Sequence, residues 1–194
     1  AMPTLINPAT RELQGSKGIS MLDTTTLAGG CFWCLEAVFL RVRGVNSVQS
    51  GYMGGHIAQP QYAQICSGAT GHAEVVQIQF DSDIVSFNDL LAIFFAIHNP
   101  TTLNAQGHDE GTQYRSAIFY HTPQQALDAQ TCIARAAGEW ADPIVTELLA
   151  ASEFWPAEIE HQQYFDLHPN QAYCMAVVAP KVRKLMQQFA EKVR

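Results

Sequence analysis

A strand-like run leads into a pair of glycines, and a helical pattern begins directly after them. Residues 21–28 (MLDTTTLA) are rich in residues that favour strands, and Gly29 and Gly30 interrupt this run. From Phe32 to about Arg41, apolar residues recur at helical spacing. The chain is therefore predicted to turn sharply from a strand into a helix, with Cys31 at the start of that helix.

Strand-like and helix-like segments alternate imperfectly along the rest of the chain, which favours helices packed on a sheet. Further strands are predicted at 45–55, 73–80, 114–121 and about 144–149. Further helices are predicted from Ser86 to Asn99, from Pro123 to about Trp140, over 156–165 and from Pro180 onward, with 99–113 as a long polar loop and 167–179 as a connection. We expect an α/β (α+β) fold, in which a mixed β-sheet with helices packed on it forms a two-layer sandwich around a ferredoxin-like core.

Length and composition are those of one folded domain. The chain has 194 residues, of which 47% are hydrophobic, and this is enough for a single sizeable core. Residues 1–21 are polar and contain two prolines and two glycines, so we expect a flexible N-terminal arm. Residues 22–194 are then predicted to form one domain.

Charge and hydropathy argue against two classes of partner. The formal net charge is −7, and the basic residues near the C-terminus are interpreted as the solvated face of the last helix, so we expect no nucleic-acid partner. No run of about 20 apolar residues is present, and we expect no membrane partner. The start of the chain lacks the pattern of a signal peptide.

The cysteine content indicates a reducing compartment. Five cysteines are present, an odd number that does not suit a secreted disulfide framework, and we expect a cytoplasmic protein. Cys66 and Cys132 are interpreted as small buried hydrophobic residues that contribute to packing. Cys31 suits that interpretation poorly, because backbone N–H groups and the helix dipole at a helix start favour a thiolate. Cys31 is therefore a candidate nucleophile.

Three chemistries remain open for the pair formed by Cys31 and Cys34. A C-x-x-C at a helix start is the geometry of a thioredoxin-like dithiol. A zinc site would need a second pair of ligands at suitable spacing, which the sequence does not contain. The third possibility is a thiol that is oxidised to a sulfenic acid and resolved by another cysteine.

Several motifs then resemble one enzyme family in order along the chain. Gly30-Cys31-Phe32-Trp33 resembles the active-site signature of the A-type peptide methionine sulfoxide reductases. The resemblance continues through four further segments: SGYMGG at 50–55, CSGATGHAEVVQIQF at 66–80, GHDEGTQYRSAIFY at 107–120 and FWPAEIEHQQYF at 154–165. It covers about residues 27–174, so we expect a single catalytic reductase domain that repairs oxidised methionine.

The resemblance implies a role for each matching residue. Cys31 would attack the sulfoxide sulfur, and Glu74 would protonate the oxygen, for which its pKa must be raised by burial. The family's two active-site tyrosines match Tyr62 and Tyr114, and its loop aspartate matches Asp109. The apolar wall that takes the substrate methyl group matches Phe32 and Trp33. Glu158 and His161 also match positions of the family motif and are interpreted as residues that either stabilise the helix surface or support the site residues from behind.

The resemblance also implies how the enzyme is recycled. The sulfenic acid on Cys31 would form a disulfide with a second thiol, and a thioredoxin-type partner or dithiothreitol would reduce it. Cys174 in NQAYC matches the C-terminal cysteine of the family, whereas Cys34 lies three residues from Cys31 on one side of the helix. Both are resolving candidates, with a slight preference for Cys174. The resemblance implies no metal or organic cofactor. The expected substrates are free methionine sulfoxide and oxidised proteins. We also expect the protein to be a monomer.

Overall fold

A mixed sheet of six strands forms the framework of the structure. The computed structural model describes residues 22–194, so the predicted arm at 1–21 lies outside the described residues. The strands of this part of the chain are β1 (Leu22–Gly29), β2 (Val45–Met53), β3 (Ala73–Asp81), β4 (Ala105–Gln106), β5 (Asp109–Glu110), β6 (Ser116–Tyr120), β7 (Glu147–Ala150) and β8 (Trp155–Pro156). The sheet order is β7-β6-β1-β3-β2-β8, in which only β6 and β7 pair in parallel, and β4 pairs with β5 in a separate hairpin.

Helices connect these strands. Those of the described residues are α1 (Phe32–Phe39), α2 (Tyr62–Cys66), α3 (Phe87–Ile97), α4 (Pro123–Ala137), α5 (Tyr164–Leu167) and α6 (Ala179–Gln188). None of the helices within residues 22–194 combines the length and the apolar character that a membrane span requires.

The central strands have the order of a ferredoxin-like fold. Along the chain the elements run β1-α1-β2-β3-α3-β6, and across the sheet these strands lie in the order β6-β1-β3-β2. In each βαβ half, the helix therefore joins two strands that are separated in the sheet by one strand of the other half. The mixed sheet and the ferredoxin-like core expected from the sequence are confirmed.

Buried and less buried residues alternate along β3 only after Val75, which is itself fully buried in a second cluster. Val76, Ile78 and Phe80 are fully buried in the main core together with residues of α1 and α3, whereas Gln77 is half-buried and Gln79 is exposed. A strand with one face against helices is expected to alternate in this way. Helix α3 begins where the sequence predicts, directly after Ser86, which forms a capping box with Asp89.

Helix α1 is buried on all sides, more completely than its apolar stripe predicts. Seven of its eight residues are buried, and they include Cys34 and Ala37 on the side away from the main core. That outer side is covered by the C-terminal segment, where Cys174 and Val178 pack against Cys34 and Ala37. A helix that is apolar all round is normally covered on both faces, and here the second cover comes from the end of the chain.

Two sequence-based expectations for the C-terminal segment are wrong. The helix predicted over 156–165 is interrupted, because Gln163 adopts a left-handed conformation (φ 53°) between a short 3₁₀ turn, Ile159–His161, and α5. The connection predicted over 167–179 contains a π-helical turn, Cys174–Val178, that leads directly into α6. The left-handed Gln163 and the π-helical turn have no local sequence pattern. Both lie where the chain packs against α1, so they depend on contacts between distant segments.

The glycine pair before α1 is required by close contacts. Gly30 has φ +93°, and a Cβ atom there would lie 2.7 Å from Cγ of Gln106. A Cβ on Gly29 would lie 3.1 Å from the Phe94 ring and 3.2 Å from the His98 ring. The turn that places Cys31 at the helix start therefore needs a left-handed residue without a side chain.

We expect Gly30→Ala to lower the free energy of unfolding by about 2–4 kcal/mol, because it adds both a left-handed alanine and a clash. Gly107→Ala is the matched control: its φ is +58°, but a Cβ there meets nothing within 4 Å, so the expected loss is only about 1 kcal/mol. Urea unfolding followed by circular dichroism measures both. Equal losses in the two variants would contradict the proposed clash.

A second prediction concerns Glu36, a buried carboxyl group on α1. Burial raises its pKa to about 7, although Ser50 Oγ donates a hydrogen bond to it at 3.2 Å and the backbone N–H groups of Gln163 and Tyr164 oppose the shift. The folded state thus holds a proton that the unfolded state releases near pH 4.5, so this group's contribution to stability is lost as pH rises from about 5 to 7. At pH 8 we expect Glu36→Gln to be more stable than the parent protein by up to about 3 kcal/mol.

Thermal or urea unfolding at pH 5 and pH 8 tests this expectation. The difference between Glu36→Gln and the parent protein should shrink at pH 5, where the carboxyl group is neutral in the fold. Glu153→Gln, an exchange at an exposed loop residue, serves as the control. A difference that does not change with pH would show that Glu36 carries no titratable cost.

Candidate active site

Cys31 lies at the junction of β1 and α1, as predicted. It is the N-cap residue of α1 and is half-buried. The backbone N–H of Trp33 points to the Cys31 thiol and lowers its pKa. The neighbouring N–H, that of Phe32, donates a hydrogen bond to Glu74 Oε1 at 3.1 Å. The start of α1 therefore holds the candidate nucleophile and the candidate acid side by side.

Glu74 is a buried carboxylic acid. It lies in the central strand β3 and is 1% exposed, and burial raises its pKa to about 8. The hydrogen bond from Phe32 works against this shift, while the negative charge of Asp109 adds to it. At pH 7 this group is therefore mostly protonated, as a proton donor to an oxygen atom must be.

The pKa shift expected at Cys31 is wrong in sign. Burial, a hydrogen bond with Cys34 and the charge of Glu74 together raise the pKa of the Cys31 thiol well above its usual value. The helix N-terminus contributes in the predicted direction, but it is weaker than burial. Resting Cys31 is thus a neutral thiol, and its neighbour Cys34 has the lowered pKa. The sequence indicates the helix start but not how deeply the thiol is enclosed.

Two tyrosines face this pair from different elements. Tyr62 begins α2 and Tyr114 ends a 3₁₀ turn before β6, and both are half-buried. Burial raises the pKa of each hydroxyl, and in both cases the charge of Glu74 contributes. Both phenols stay protonated at neutral pH and can donate a hydrogen bond beside Glu74. The resemblance predicted these two positions, and the structure brings them together.

Buried side chains fix the loops that carry the tyrosines. His72 accepts a hydrogen bond from the Gly55 N–H at 3.0 Å and lies 2.7 Å from the Ile57 carbonyl oxygen, which ties down the loop before Tyr62. Arg115 donates to the Gly71 carbonyl at 3.0 Å. The structural role of His72 depends on contacts with residues 15 and 17 positions away in the chain.

Asp109 lies at the rim of the site. It begins β5, and its Oδ2 accepts a hydrogen bond from the Tyr173 hydroxyl at 2.6 Å. The hairpin that carries it is anchored by Gln106, whose side-chain amide bonds to the backbone of Asn99 on both its oxygen and its nitrogen, each at 3.0 Å. Tyr173 was not predicted as a site residue. Its only local signal is its position before Cys174.

The aromatic wall is built as expected, with an unexpected support. Phe32 is buried, and Trp33 is half-buried and stacks on Tyr164 with ring centroids 3.8 Å apart. Trp33 Nε1 donates to His161 Nδ1 at 3.3 Å. His161 Nε2 then carries the proton and faces Glu158 Oε2 at 3.6 Å. The Glu158–His161 pair therefore orients Trp33.

The Glu158–His161 pair also contacts strand β2 of the sheet and the Tyr62 ring. The Tyr52 hydroxyl, from β2, donates to Glu158 Oε1 at 3.3 Å, and the Tyr62 ring packs on His161 with centroids 4.3 Å apart. Of the two roles left open for Glu158 and His161, these contacts favour support of the site residues over stabilisation of the helix surface. Tyr52 was part of a quoted motif without an assigned role.

Both resolving candidates belong to one buried cluster. Cys34 is 1% exposed and Cys174 is not exposed, and they pack together with Ala37 and Val178. The Cys34 thiol hydrogen-bonds with that of Cys31, whereas Cys174 interacts electrostatically with Cys34. Cys34 therefore lies next to the nucleophile, and Cys174 lies next to Cys34.

The remaining cysteines differ from each other. Cys132 is half-buried against the core, which agrees with a packing role. Cys66 is exposed, so the packing role predicted for it is wrong. It ends the one-turn helix α2, and it interacts with the Tyr62 hydroxyl.

The geometry gives no support to a zinc site at the cysteine pair. Within residues 22–194, the one group of three metal-capable side chains with ligand atoms inside 4.8 Å consists of Glu158, Glu160 and His161. It contains no cysteine, and His161 Nδ1 is already engaged by Trp33. A structural zinc site of the expected kind would need four ligands, mostly thiolates and imidazoles.

Comparison with known proteins agrees with this geometry. A sequence model of the family described as peptide methionine sulfoxide reductase matches residues 23–193. A relative named peptide methionine sulfoxide reductase MsrA, from Polynucleobacter asymbioticus, is 54% identical over 175 residues, which cover 89% of this chain and 92% of the relative. A protein of the same name from Saccharolobus solfataricus is 50% identical over 173 residues and covers 89% and 98%.

Solved structures show the same fold. Reduced Mxr1 from Saccharomyces cerevisiae superposes with a TM-score of 0.75 at 31% identity, covering 80% of this chain and 90% of that chain. Methionine sulfoxide reductase A of Corynebacterium diphtheriae gives 0.74 at 36% identity, covering 77% and 76%. Mxr1 in complex with Trx2 gives 0.53 at 23% identity, covering 75% and 86%, and shares the fold. Sequence, fold and arranged site residues together assign this chain to the peptide methionine sulfoxide reductase family.

Proposed function

We propose that this protein reduces the S epimer of methionine sulfoxide to methionine, both free and within oxidised proteins, and thereby repairs oxidative damage. One observation carries the proposal: the N–H of Phe32, the residue after Cys31, holds Glu74, a buried carboxyl group whose pKa of about 8 keeps it protonated at pH 7. The reaction needs a nucleophile for sulfur and a proton for oxygen. Cys31 and Glu74 supply both from one place.

Cys31 and Glu74 divide the chemistry of the first half-reaction. The Cys31 sulfur attacks the sulfoxide sulfur while Glu74 transfers its proton to the oxygen. A sulfur–sulfur bond between Cys31 and the substrate forms as the substrate's sulfur–oxygen bond breaks, and the oxygen is released as hydroxide. The hydroxide then attacks the Cys31 sulfur, the sulfur–sulfur bond breaks with its electron pair on the substrate sulfur, and methionine leaves with Cys31 as a sulfenic acid. The substrate sulfur gains two electrons and Cys31 loses two. The thiol proton returns to Glu74, so no net proton is consumed.

The surrounding side chains hold the substrate. The Tyr62 and Tyr114 hydroxyls remain protonated and are suited to donate hydrogen bonds to the sulfoxide oxygen beside Glu74. Asp109, fixed by Tyr173, can accept a hydrogen bond at the rim. Trp33, with Phe32 beneath it, offers an apolar wall to the S-methyl group. A fixed wall on one side and fixed donors on the other distinguish the two epimers at sulfur.

The second half-reaction restores the thiol. A second cysteine from the buried cluster, Cys34 or Cys174, forms a disulfide with Cys31, and an external dithiol reduces it. A thioredoxin-type protein suits this role, since a solved structure of the yeast relative Mxr1 contains Trx2. No metal or organic cofactor is required, only an external thiol reductant such as thioredoxin or dithiothreitol. The protein would act as a monomer in the cytoplasm, where free thiols persist.

The first test of this function removes the nucleophile and the acid separately. Cys31→Ser is expected to abolish methionine formation, and Glu74→Gln to slow it by about 10²- to 10⁴-fold, the usual contribution of a general acid. The assay follows dansylated methionine-S-sulfoxide with dithiothreitol as reductant. Glu153→Gln, at an exposed position, should retain full activity.

A general dithiol oxidoreductase would give a different result. Such an enzyme would reduce insulin disulfides and would not depend on Glu74. Full sulfoxide reduction by Glu74→Gln would therefore contradict the assigned acid. Insulin reduction by the parent protein without any sulfoxide reduction would contradict the proposed function altogether.

A second prediction concerns stereochemistry. Because the aromatic wall and the oxygen-binding donors occupy fixed positions, the R epimer would present its methyl group or its oxygen to the wrong side. We expect turnover of the S epimer at least about 100-fold faster than that of the R epimer, about 3 kcal/mol of discrimination. Chiral chromatography of a racemic substrate after incubation measures it. Equal consumption of both epimers would exclude this arrangement of the pocket.

A further inference from the structure

A cavity of about 130 Å³ beside the cysteine pair brings a cation from the last helix into the site. Cys31, Cys34, Asp109, Tyr173 and Lys181 all line this cavity. Lys181 lies in the first turns of α6, and its side chain is half-buried. The reaction proposed above gives Lys181 no task.

The two thiols of the pair have different surroundings. Cys31 is half-buried, whereas Cys34 is 1% exposed. The Tyr173 hydroxyl lies between the Asp109 carboxylate and the Cys34 thiol and interacts with both. The hydrogen bond with Cys31, the Lys181 charge and the Tyr173 hydroxyl lower the pKa of Cys34, against burial and the charge of Asp109. Cys34 is thus the member of the pair whose negative charge is stabilised.

We propose that Lys181 is a positioning residue that stabilises the Cys34 thiolate, so that Cys34 resolves the sulfenic acid and later leaves when a reductant attacks Cys31. This inference rests on the proposed function for its first step only. It also selects between the two resolving candidates, since Cys34 contacts the Cys31 thiol directly and Cys174 lies behind it in the same buried cluster.

The proposed steps balance in atoms and electrons. The Cys34 thiolate attacks the Cys31 sulfur, a sulfur–sulfur bond forms, and the sulfenic oxygen leaves as hydroxide and takes up a proton to become water. A thiolate of an external dithiol then attacks Cys31, because Cys31 is the more accessible sulfur of the disulfide. The disulfide bond breaks, and Cys34 leaves with the electron pair. The second thiol of the reductant completes its own disulfide and releases Cys31 as a thiol.

Reduction of the Cys31–Cys34 disulfide benefits in two ways from a stabilised Cys34 thiolate, in its rate and in its equilibrium. Disulfide exchange is faster when the leaving thiol has a lower pKa. A stabilised thiolate also favours the reduced form at equilibrium, which makes the disulfide easier to reduce. Removal of the Lys181 charge should therefore change a rate and an equilibrium in the same direction.

The experiment compares Lys181→Met with Lys184→Met, a charge loss on an exposed side chain of the same helix. Diamide oxidises each protein, which requires no sulfoxide, and dithiothreitol then reduces it at pH 7. We expect Lys181→Met to be reduced about three- to tenfold more slowly, with its reduction equilibrium shifted toward the disulfide by a similar factor. Lys184→Met should match the parent protein, and Lys181→Arg should restore both quantities.

A merely structural role for Lys181 would not shift the equilibrium selectively. Equal effects in Lys184→Met, or an unchanged equilibrium in Lys181→Met, would overturn the proposal. Should Lys181→Met fail to fold by circular dichroism, Lys181→Gln keeps the polar stem and gives the same test. The disulfide measurements stand even if no methionine is formed, so failure of the proposed function is recognised separately, as a parent protein inactive on the sulfoxide.

A trapping experiment identifies the attacked sulfur. A thioredoxin whose second active-site cysteine is replaced by serine forms a stable mixed disulfide with the oxidised protein. Fragmentation between Phe32 and Trp33 in the mass spectrometer separates Cys31 from Cys34. We expect the thioredoxin on Cys31; a mixed disulfide on Cys34 or Cys174 would contradict the proposed direction of exchange.

Discussion

The hydrogen bond between the Phe32 N–H and Glu74 joins the two halves of the chemistry. It links the first turn of α1 to the centre of the sheet, in a place where water does not compete. A buried carboxylate there would be costly, and the fold resolves this by keeping the group protonated. The retained proton is the one that a sulfoxide oxygen needs. Burial of Glu74 therefore produces both a structural cost and the neutral acid that the proposed reaction requires.

The same enclosure has the opposite consequence for Cys31. A helix N-terminus would favour its thiolate, but burial and the adjacent Glu74 raise its pKa. The resting site thus holds two neutral acids side by side, without repulsion between charges. A thiolate charge is instead stabilised at Cys34, the second cysteine of the pair, by the Lys181 charge and the Tyr173 hydroxyl. In the proposed function, attack by Cys31 and recycling through Cys34 would therefore rely on different surroundings within one small site.

The C-terminal segment buries the outer side of α1. A helix packed on a sheet would normally expose its outer side, but Cys174 and Val178 cover it here. The same segment contributes Tyr173 and Lys181 to the cavity. A short helix of mostly apolar residues can therefore carry reactive thiols and remain shielded from water on both sides.

Local pattern was sufficient for five of the six strands of the main sheet, for the main helices and for the motif positions, but not for the edge strand β8 or the β4–β5 hairpin. The glycine pair predicted the turn before Cys31, the apolar spacing after it predicted α1, and Ser86 predicted the start of α3. These signals are local, because strand alternation, capping and positive φ depend on nearest neighbours in the chain. The interrupted helix around Gln163, the exposure of Cys66 and the sign of the Cys31 shift depend on which segments pack together. By itself, the sequence determined which residues carry chemistry and in what order; only the tertiary structure decided their protonation states, because a pKa depends on burial and on charges that are distant in the chain.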